Sequence, residues 1–316
     1  MRFDLGSTFF EGMPLNVVTV SIFRRAQVGH HRVLVDPAAQ ASFETWRAQL
    51  GCDLAGEIDL IVRQSAAKES RKPSHRTLAI VGEHVAEDWS GEPRIRPETA
   101  ERLMIEPLSV LVEDRDSDVA FLKAVVTDAY SAEWTSLLDS RSASFIHGGG
   151  SGLKSALEAR LTEPVSRFRT FVVFDSDGLR PGTVSPTARE LSETCVNAQI
   201  PYCCLARREI ENYLPLQAIA RWAERKKRRK RRRVLAEFKK LSREQRDHFD
   251  MKKGLAGPNC ARLYEEVDNR VSRRLRAGFG AKVWKEFLGG IDDSWLVGDG
   301  SIGEIDQLFD SLLRGA

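Results

Sequence analysis

The sequence has 316 residues, of which 42% are hydrophobic and 29% are charged, and its formal net charge is +3. These values are typical of a globular protein with a sizeable core, and the length allows two domains or one domain with additions. The start lacks the basic-then-apolar pattern of a secretory signal, no apolar run is long enough to span a membrane, and the five cysteines show no CxxC spacing. We therefore exclude a membrane-spanning or disulfide-stapled protein and expect a cytoplasmic chain with reduced thiols.

Residues 1–105 are predicted to form a mixed α/β module. Apolar and β-branched residues favour strands at 17–23 and 78–81, and helical spacing favours a helix at 39–50. The polar stretch 64–76 is predicted to be a loop. Because no chemical site can be assembled from these residues, we expect the module to have a structural or partner-binding role.

In residues 106–215, short apolar runs alternate with amphipathic stretches. The runs at 108–112, 144–147, 170–174 and 200–206 predict strands, and the stretches at 118–130, 152–161 and 187–198 predict helices. Strands that alternate with helices form parallel sheets, and strands that are apolar throughout are covered on both faces. The predicted fold class is therefore α/β, with a parallel sheet flanked by helices in this region.

Residues 216–316 are predicted to be mostly helical, and they begin with a strongly basic run. Ten of the thirteen residues at 221–233 are Lys or Arg. Such runs are often only solvated surface, but this one directly follows an acidic region, which favours contact with nucleic-acid phosphates. Trp222 is its one aromatic residue, so we expect backbone contact without base stacking. The predicted phosphate-binding residues of the run are Arg225, Lys226, Lys227, Arg228, Arg229, Lys230, Arg231, Arg232 and Arg233.

Acidic residues follow three of the four strands predicted in 106–215. Ligands of open parallel sheets bind beyond the carboxyl ends of the strands, so these carboxylates are predicted to converge. Crowded carboxylates repel each other, and a set of oxygen ligands without a His/Cys cluster suits magnesium or manganese. The acids are Glu113, Asp114, Asp116 and Asp118 after the first strand, Asp175 and Asp177 after the third, and Glu209 and Glu211 after the fourth.

Three glycines follow the second strand. Gly148, Gly149 and Gly150 would let the backbone come close to a phosphate, because no Cβ stands in the way. A flexible turn between strand and helix is the plainer interpretation of the same residues. Taken singly, the acids have plain interpretations too, since Glu113 and Asp118 suit a helix start and Asp175 and Asp177 suit a turn. Their joint occurrence at one sheet edge is what predicts a site.

Four segments resemble the Toprim family of metal-dependent nucleases. VLVEDRDSDVAFL resembles the first Toprim motif, a strand that ends in glutamate and is followed by a helix, and FVVFDSDG resembles the DxD motif. FIHGGGSGLK and RREIENYL resemble flanking segments of Toprim nucleases of the OLD (overcoming lysogenization defect) type and of related phage-defence proteins. The resemblance covers residues 106–215 and implies a Toprim-like catalytic domain between the module at 1–105 and the basic region at 216–316.

The resemblance implies a role for several positions. Glu113 would be the general base or a metal ligand, and Asp175 and Asp177 would hold metal. Glu211 would be a further ligand or orienting group, and Lys252 or Lys253 would stabilise negative charge in the transition state. Two magnesium or manganese ions would flank the scissile phosphodiester.

The first motif departs from the family pattern. The second acid usually stands four positions after the glutamate, where this chain has Ser117, so Asp118 is the nearest match. Asp114 stands where glycine is usual. Arg207 and Arg208 are expected either to pair with nearby acids or to hold a phosphate.

The resemblance also implies partners. The substrate would be DNA or RNA, cut by an effector of prokaryotic anti-phage defence that can form oligomers. No GxxxxGK[ST] phosphate loop occurs in the sequence, so an ATPase that controls the nuclease would be a separate chain.

Two other functions stay open. FVVFDSDG also resembles the first motif of haloacid dehalogenase-type phosphatases, with Asp175 as nucleophile, Asp177 as acid/base, and 297–306 as a distant match to their last acidic motif. The irregular first Toprim motif instead suits a nucleic-acid-binding or toxin-regulating subunit that has lost catalysis.

Overall fold

The computed structural model describes residues 1–11, 17–28, 31–148, 152–225, 228–256 and 262–315. Two four-stranded sheets, each parallel throughout, are flanked by helices. The α/β fold class is therefore confirmed. No helix in these ranges is long and apolar enough to cross a membrane.

The first sheet has the strand order β2-β1-β3-β4 and lies within the N-terminal module. A buried cluster that includes Phe3, Phe23, Trp46 and Leu103 packs its helices against it. Its strands are β1 (Arg2–Leu5), β2 (Arg32–Val35), β3 (Thr77–Ile80) and β4 (Arg94–Ile95). Its helices are α1 (Ser7–Phe10), α2 (Val17–Val28), α3 (Gln40–Arg47), α4 (Cys52–Arg71) and α5 (Pro97–Ile105).

Two predictions for this module are wrong, and both fail for the same reason. Residues 17–23 lie in helix α2, where the buried positions Thr19, Ile22, Phe23 and Ala26 have helical spacing. Residues 64–71 lie in helix α4, whose exposed polar side chains resemble a loop in sequence. In both cases the buried positions recur at helical spacing, as Ile22 and Ala26 do in α2 and Ile61 and Ser65 do in α4, and the prediction missed that spacing. The strand near 78–81 and the helix near 39–50 are confirmed.

The second sheet has the strand order β6-β5-β7-β8, and all four of its predicted strands are confirmed. Its three predicted helices are also confirmed, although the stretch 118–130 divides between α6 and α7. The strands are β5 (Leu108–Val112), β6 (Ala143–His147), β7 (Thr170–Phe174) and β8 (Tyr202–Cys204). The helices are α6 (Arg115–Val125), α7 (Asp128–Asp139), α8 (Leu153–Leu161), α9 (Pro164–Phe168) and α10 (Pro186–Asn197).

Both faces of the second sheet are covered, which explains why β5 and β7 are apolar throughout. Leu111, Val172 and Phe174 point to the face packed by α8 and α10. Val110 and Phe171 point to the opposite face, together with α6, α7 and the C-terminal helices. Every residue of β5 and β7 is buried as a result.

The region 216–316 is mostly helical and shares one hydrophobic core with this sheet. The core runs from Leu108 to Leu312 and includes Trp222, Phe249 and Phe309. The helices are α11 (Leu216–Glu224), α12 (Arg228–Phe238), α13 (Arg243–Asp247), α14 (Asn269–Leu275), α15 (Asp293–Asp299) and α16 (Ile302–Gly315).

The two sheets share one topology. In each sheet the second strand lies on one side of the first, and the third and fourth strands lie on its other side. Ligands of such sheets bind where the direction reverses, which is between β1 and β3 and between β5 and β7. Gly6 and Val81 follow the strands at the first of these points, and neither side chain can bind a cation. Glu113 and Asp175 follow the strands at the second, so the acidic chemistry belongs to the second sheet alone.

Candidate active site

Glu113 and Asp175 meet at the carboxyl edge of the second sheet. The backbone N–H of Asp175 donates a hydrogen bond to Oε1 of Glu113 at 3.2 Å. Both side chains are half-buried. Two acids 62 positions apart in the chain therefore lie in direct contact, as the strand-end pattern predicts.

The turn that carries Glu113 is held by the two aspartates after it. Asp114 begins α6 by accepting the N–H groups of Asp116 and Ser117. Asp118 is buried, and its Oδ2 accepts the N–H groups of Glu113 and Asp114 at 2.9 and 3.0 Å. Asp118 therefore fixes the backbone of Glu113, and the ligand role that the resemblance implies for it stays a prediction.

The loop after β7 gives its two aspartates different surroundings. Oδ1 of Asp175 accepts the N–H of Ile210 at 2.9 Å, so this carboxylate points toward the segment after β8. Asp177 is exposed, and its backbone is left-handed with φ of 49°. The chain is therefore not extended at Asp177, whose N–H donates to the carbonyl of Arg208 at 2.8 Å.

This loop is pinned by its own short side chains and by the C-terminal region. Oγ of Ser176 donates to the carbonyl of Arg207 at 2.8 Å and accepts the N–H of Gly178. A Cβ at Gly178 would lie 2.2 Å from the carbonyl oxygen of Thr183, so only glycine fits there. The ring of His248 contacts the carbonyl of Gly178 at 3.0 Å.

Glu209, Glu211 and Lys252 lie at the same edge of the sheet. We call five acids of this edge the acidic cluster: Glu113, Asp175, Asp177, Glu209 and Glu211. Glu209 and Glu211 are buried on the 3-10 turn after β8, and Nζ of Lys252 lies 3.1 Å from Glu209 and 3.2 Å from Glu211. Oε1 of Glu209 also accepts the N–H of Met251. Glu211 is fully buried. Among the described residues, neither of its carboxylate oxygens has a partner with hydrogen-bond geometry, so its contact with Lys252 is an ion pair without a well-formed hydrogen bond.

The electrostatics of the cluster disfavour full ionisation. Burial, reinforced by repulsion from Asp118, raises the pKa of Glu113 to about 7. Burial and repulsion from Glu113 hold the pKa of Asp175 well above its ordinary value, and burial and repulsion from Glu209 raise that of Glu211. Burial opposes the charge of Lys252, but Glu209 and Glu211 outweigh it and raise the pKa of the ammonium group. Extra positive charge would relieve this crowding.

The donor chemistry fits a hard divalent cation, because every ligand group is a carboxylate oxygen and Glu211 offers buried oxygens that lack hydrogen bonds. In the described parts of the chain, however, no three acidic, histidine or cysteine side chains are close enough together to enclose an ion. Lys252 supplies the positive charge among them instead. Cation binding therefore requires the ammonium of Lys252 to leave Glu211 and the carboxylates to draw together.

Gly148 approaches the protein's own backbone closely. A Cβ there would lie 2.1 Å from backbone atoms of Gly152 and Leu153, at the start of α8. The residue is therefore required for the passage from β6 to α8, whatever else it does. The predictions for Gly149 and Gly150 fall outside the described residues.

The two arginines after β8 have different tasks. Arg207 is buried and donates to Asp299 at 2.6 Å and to the carbonyl of Asn212 at 2.7 Å, which ties this edge of the sheet to the C-terminal helices. Arg208 is half-buried, and its Nη2 donates to Asp250 at 3.1 Å. Of the two expectations for Arg208, pairing with an acid is the one observed.

We expect Arg207→Met to destabilise the fold by about 2–4 kcal/mol, because it breaks a largely buried ion pair and leaves Asp299 without its partner. Denaturant unfolding measures this loss. The matched control is Arg314→Met, since Arg314 is 54% exposed and pairs with Asp310 one turn earlier in α16, a geometry that contributes about 1 kcal/mol or less. Equal losses in the two variants would show that Arg207 is not a structural tie.

The basic run divides between the start of α12 and the residues before it. Arg225 pairs with Glu286, and Arg232 pairs with Glu224. Arg231 stacks over Trp222, with 4.5 Å between its guanidinium carbon and the ring centre. The exposed cations on α12 without a described ion-pair partner are Arg229, Lys230 and Arg233. The predictions for Lys226 and Lys227 fall outside the described residues, as does the side chain of Arg228.

The segment proposed as a last phosphatase motif, 297–306, does not follow a strand. It spans the end of α15 and the start of α16. Oε1 of Glu304 accepts the N–H of Ala206 at 2.7 Å, and Oδ1 of Asp306 accepts the hydroxyl of Thr127 at 2.7 Å. Glu304 thus joins α16 to the segment after β8, and Asp306 joins it to the start of α7.

Sequence reasoning did not assign a role to Glu209. Its signal was the one used for Glu211, namely an acid in the segment after a buried strand. Glu209 is buried and touches Lys252, whose position against the sheet edge depends on long-range packing of the C-terminal region.

Comparison of the chain with protein-family models, curated proteins and solved structures finds no match, so proposals about the chemistry of this protein rest on its own residues.

Proposed function

We propose that this protein is a metal-dependent nuclease that hydrolyses phosphodiester bonds of nucleic acid. The observation that carries the proposal is the contact between Glu113 and Asp175, which brings the acids of two strand ends to the topological switch point of a parallel sheet. Glu211 supports it, because its buried carboxylate oxygens have no partner among the described residues besides the ion-pair contact with Lys252 at 3.2 Å. The charge crowding explains why the cluster would bind magnesium or manganese.

The residues divide the work as follows. Asp175, Glu211 and Glu113 would hold one ion, and exposed Asp177 would reach a second ion at the rim of the cluster. A divalent cation supplies positive charge against the negative charge that develops on the phosphate oxygens. Glu113 would also accept the proton of the attacking water, because a bound cation would lower the pKa that burial raises in the metal-free protein and would keep the carboxylate ionised near neutral pH. The water oxygen bonds to phosphorus, the bond from phosphorus to the leaving oxygen breaks, and that oxygen takes a proton from solvent.

The wider setting is proposed on the Toprim resemblance described above. The nuclease would be a cytoplasmic effector of prokaryotic anti-phage defence, controlled by a separate ATPase chain. The exposed cations of α12, Arg229, Lys230 and Arg233, would contact the backbone of the substrate.

We expect Asp175→Asn to reduce divalent-dependent cleavage by about a hundredfold or more, because it removes a charged ligand at the centre of the cluster. The measurement is cleavage of labelled single-stranded and duplex DNA and RNA with Mg²⁺, with Mn²⁺ and with a chelator. Asp116→Asn is the matched control, since Asp116 is an exposed acid in the first turn of α6. Full activity of Asp175→Asn, or equal losses in both variants, would refute the proposed site.

A second candidate is a nucleic-acid-binding subunit without catalysis, and one observation favours it. Lys252 pairs with Glu209 and Glu211, and a lysine in this position can permanently substitute for a cation. This candidate predicts binding that a chelator leaves unchanged, with no cleavage under any of the conditions above. The effect of Mn²⁺ on the stability of Lys252→Met separates the two candidates.

A further inference from the structure

A cavity of about 820 Å³ opens directly beside the acidic cluster. Asp177 forms part of its wall, and the segment after β8 contributes Arg208, whose carbonyl accepts the N–H of Asp177 at 2.8 Å. Asp177 is the member of the acidic cluster that lines the cavity, so the cavity adjoins the edge where hydrolysis is proposed. Its volume lies within the range of roughly 300–1,000 Å³ of pockets that hold an organic ligand.

Three arginines line this cavity. Arg180 comes from the loop after β7, Arg208 from the segment after β8, and Arg262 from the C-terminal region. Asp177 and Glu244 are the acids of the lining, so positive charge is in excess. An arginine fork suits phosphate oxygens, which accept from its parallel N–H groups.

Arg208 carries an unmet hydrogen-bonding demand. Its Nη2 donates to Asp250 at 3.1 Å, whereas Nη1 is buried and has no hydrogen-bond partner within the described ranges. A buried guanidinium nitrogen without an acceptor is costly, and an anionic ligand in the cavity would supply that acceptor once the side chain of Arg208 turns Nη1 toward it. This demand does not depend on the acidic cluster and points independently to an anion.

The rest of the lining is suited to a nucleobase. Leu179 and Val184 are 37% and 38% exposed, and Pro181 and Leu263 also face the cavity. A nucleobase offers a flat apolar face for such walls. A base inside a duplex cannot reach a concave pocket unless it leaves the stack.

We propose that this cavity binds one unpaired nucleotide next to the scissile phosphate, and that the site therefore acts on single-stranded or unstacked nucleic acid. The inference rests on the proposed function for the position of the scissile bond, but the binding site itself does not require catalysis. Arg180, Arg208 and Arg262 hold the phosphate, while Leu179 and Val184 contact the base.

The test measures equilibrium binding by the full chain with Glu113→Gln, so that cleavage does not interfere. The probes are a labelled single-stranded oligonucleotide, a duplex of the same sequence, a nucleoside monophosphate and inorganic phosphate. We expect the single strand to bind about tenfold more tightly than the duplex, and the nucleoside monophosphate to compete at lower concentration than inorganic phosphate. Adding Arg180→Gln and Arg262→Gln together should weaken single-strand binding about tenfold.

The matched control adds Arg189→Gln, because Arg189 is exposed on α10 and does not line the cavity. Equal binding of single strand and duplex, or equal effects of the cavity variants and Arg189→Gln, would overturn the inference. If the unaltered protein cleaves nothing with Mg²⁺ or Mn²⁺ while the cavity variants still weaken single-strand binding selectively, the proposed nuclease activity fails and the nucleotide site stands. If the unaltered protein cleaves paired and unpaired substrates equally well, the proposed nuclease activity stands and the nucleotide site fails.

Discussion

Glu113→Gln is expected to reduce cleavage by about 10²- to 10⁴-fold and, at the same time, to make the protein more stable at alkaline pH. Loss of activity follows because glutamine can neither accept the proton of water nor offer a charged ligand. The gain in stability follows because the carboxylate of Glu113 is half-buried and lies beside other acids. The amide oxygen can still accept the N–H of Asp175, so the turn keeps its hydrogen bond.

The sign of the pH effect follows from the raised pKa. Burial first, and repulsion from Asp118 second, raise the pKa of Glu113 from an ordinary 4.5 to about 7. Below the ordinary value the group is protonated in both folded and unfolded chains, so it costs nothing. As pH rises toward 7 the unfolded chain ionises first, and the folded state loses up to about 3 kcal/mol relative to it. Glutamine avoids this loss.

Thermal or denaturant unfolding in a chelator, at about pH 5 and about pH 8, measures the difference. The variant should match the unaltered protein near pH 5 and exceed it by about 2–3 kcal/mol near pH 8. Glu158→Gln is the control, because Glu158 is exposed on α8 and should leave stability the same at both pH values. A variant that loses activity but is no more stable at pH 8 would mean that Glu113 is not held in a crowded acidic cluster.

Lys252→Met is expected to destabilise the metal-free protein by about 1–3 kcal/mol and to make it dependent on divalent ions. The ammonium group is the cation that lies between Glu209 and Glu211, and both carboxylates are buried. Removing it leaves them uncompensated, although the 38% exposure of the Lys252 side chain means that solvent screens part of the loss. Mn²⁺ or Mg²⁺ should then restore stability by binding where the lysine charge was.

Unfolding with a chelator and with millimolar Mn²⁺ distinguishes the two candidate functions. For a metal-dependent nuclease, added Mn²⁺ raises the stability of Lys252→Met more than that of the unaltered protein. For a subunit in which the lysine has replaced the ion, the variant stays destabilised with or without Mn²⁺. Lys253→Met is the control, since Lys253 is the adjacent exposed lysine and should show neither effect.

The sequence predicted the second sheet more accurately than the first because their strands differ in composition. Leu108–Val112 and Thr170–Phe174 are buried on both faces, so each is a continuous apolar run. Both Arg2–Leu5 and Arg32–Val35 have only four residues; the first alternates half-buried charged residues with buried apolar ones, and Val33 alone is buried in the second, so each gives little signal. Helix α2 was mistaken for a strand because its β-branched residues outweighed a burial spacing that only the packed fold reveals.

The candidate site was predictable as far as strand ends determine it. Glu113 and Asp175 follow buried parallel strands, and the geometry of such sheets brings them together. The paired state of Lys252 and the left-handed backbone of Asp177 were not predictable, because both depend on contacts between segments distant in sequence. The position of Asp118 suited a metal ligand, but the sequence did not show that its carboxylate accepts hydrogen bonds from two backbone N–H groups.

The shared core has a consequence for how this chain can be dissected. Residues 216–316 contribute Phe249, Leu308 and Phe309 to the face of the sheet opposite α8 and α10, and they supply Lys252 and His248 to the site. A fragment that stops after β8 would leave one side of the sheet bare and would aggregate rather than act as a minimal nuclease. Proteolytic cleavage within the last hundred residues should therefore abolish activity at the acidic cluster. Activity and the integrity of these helices should be lost together.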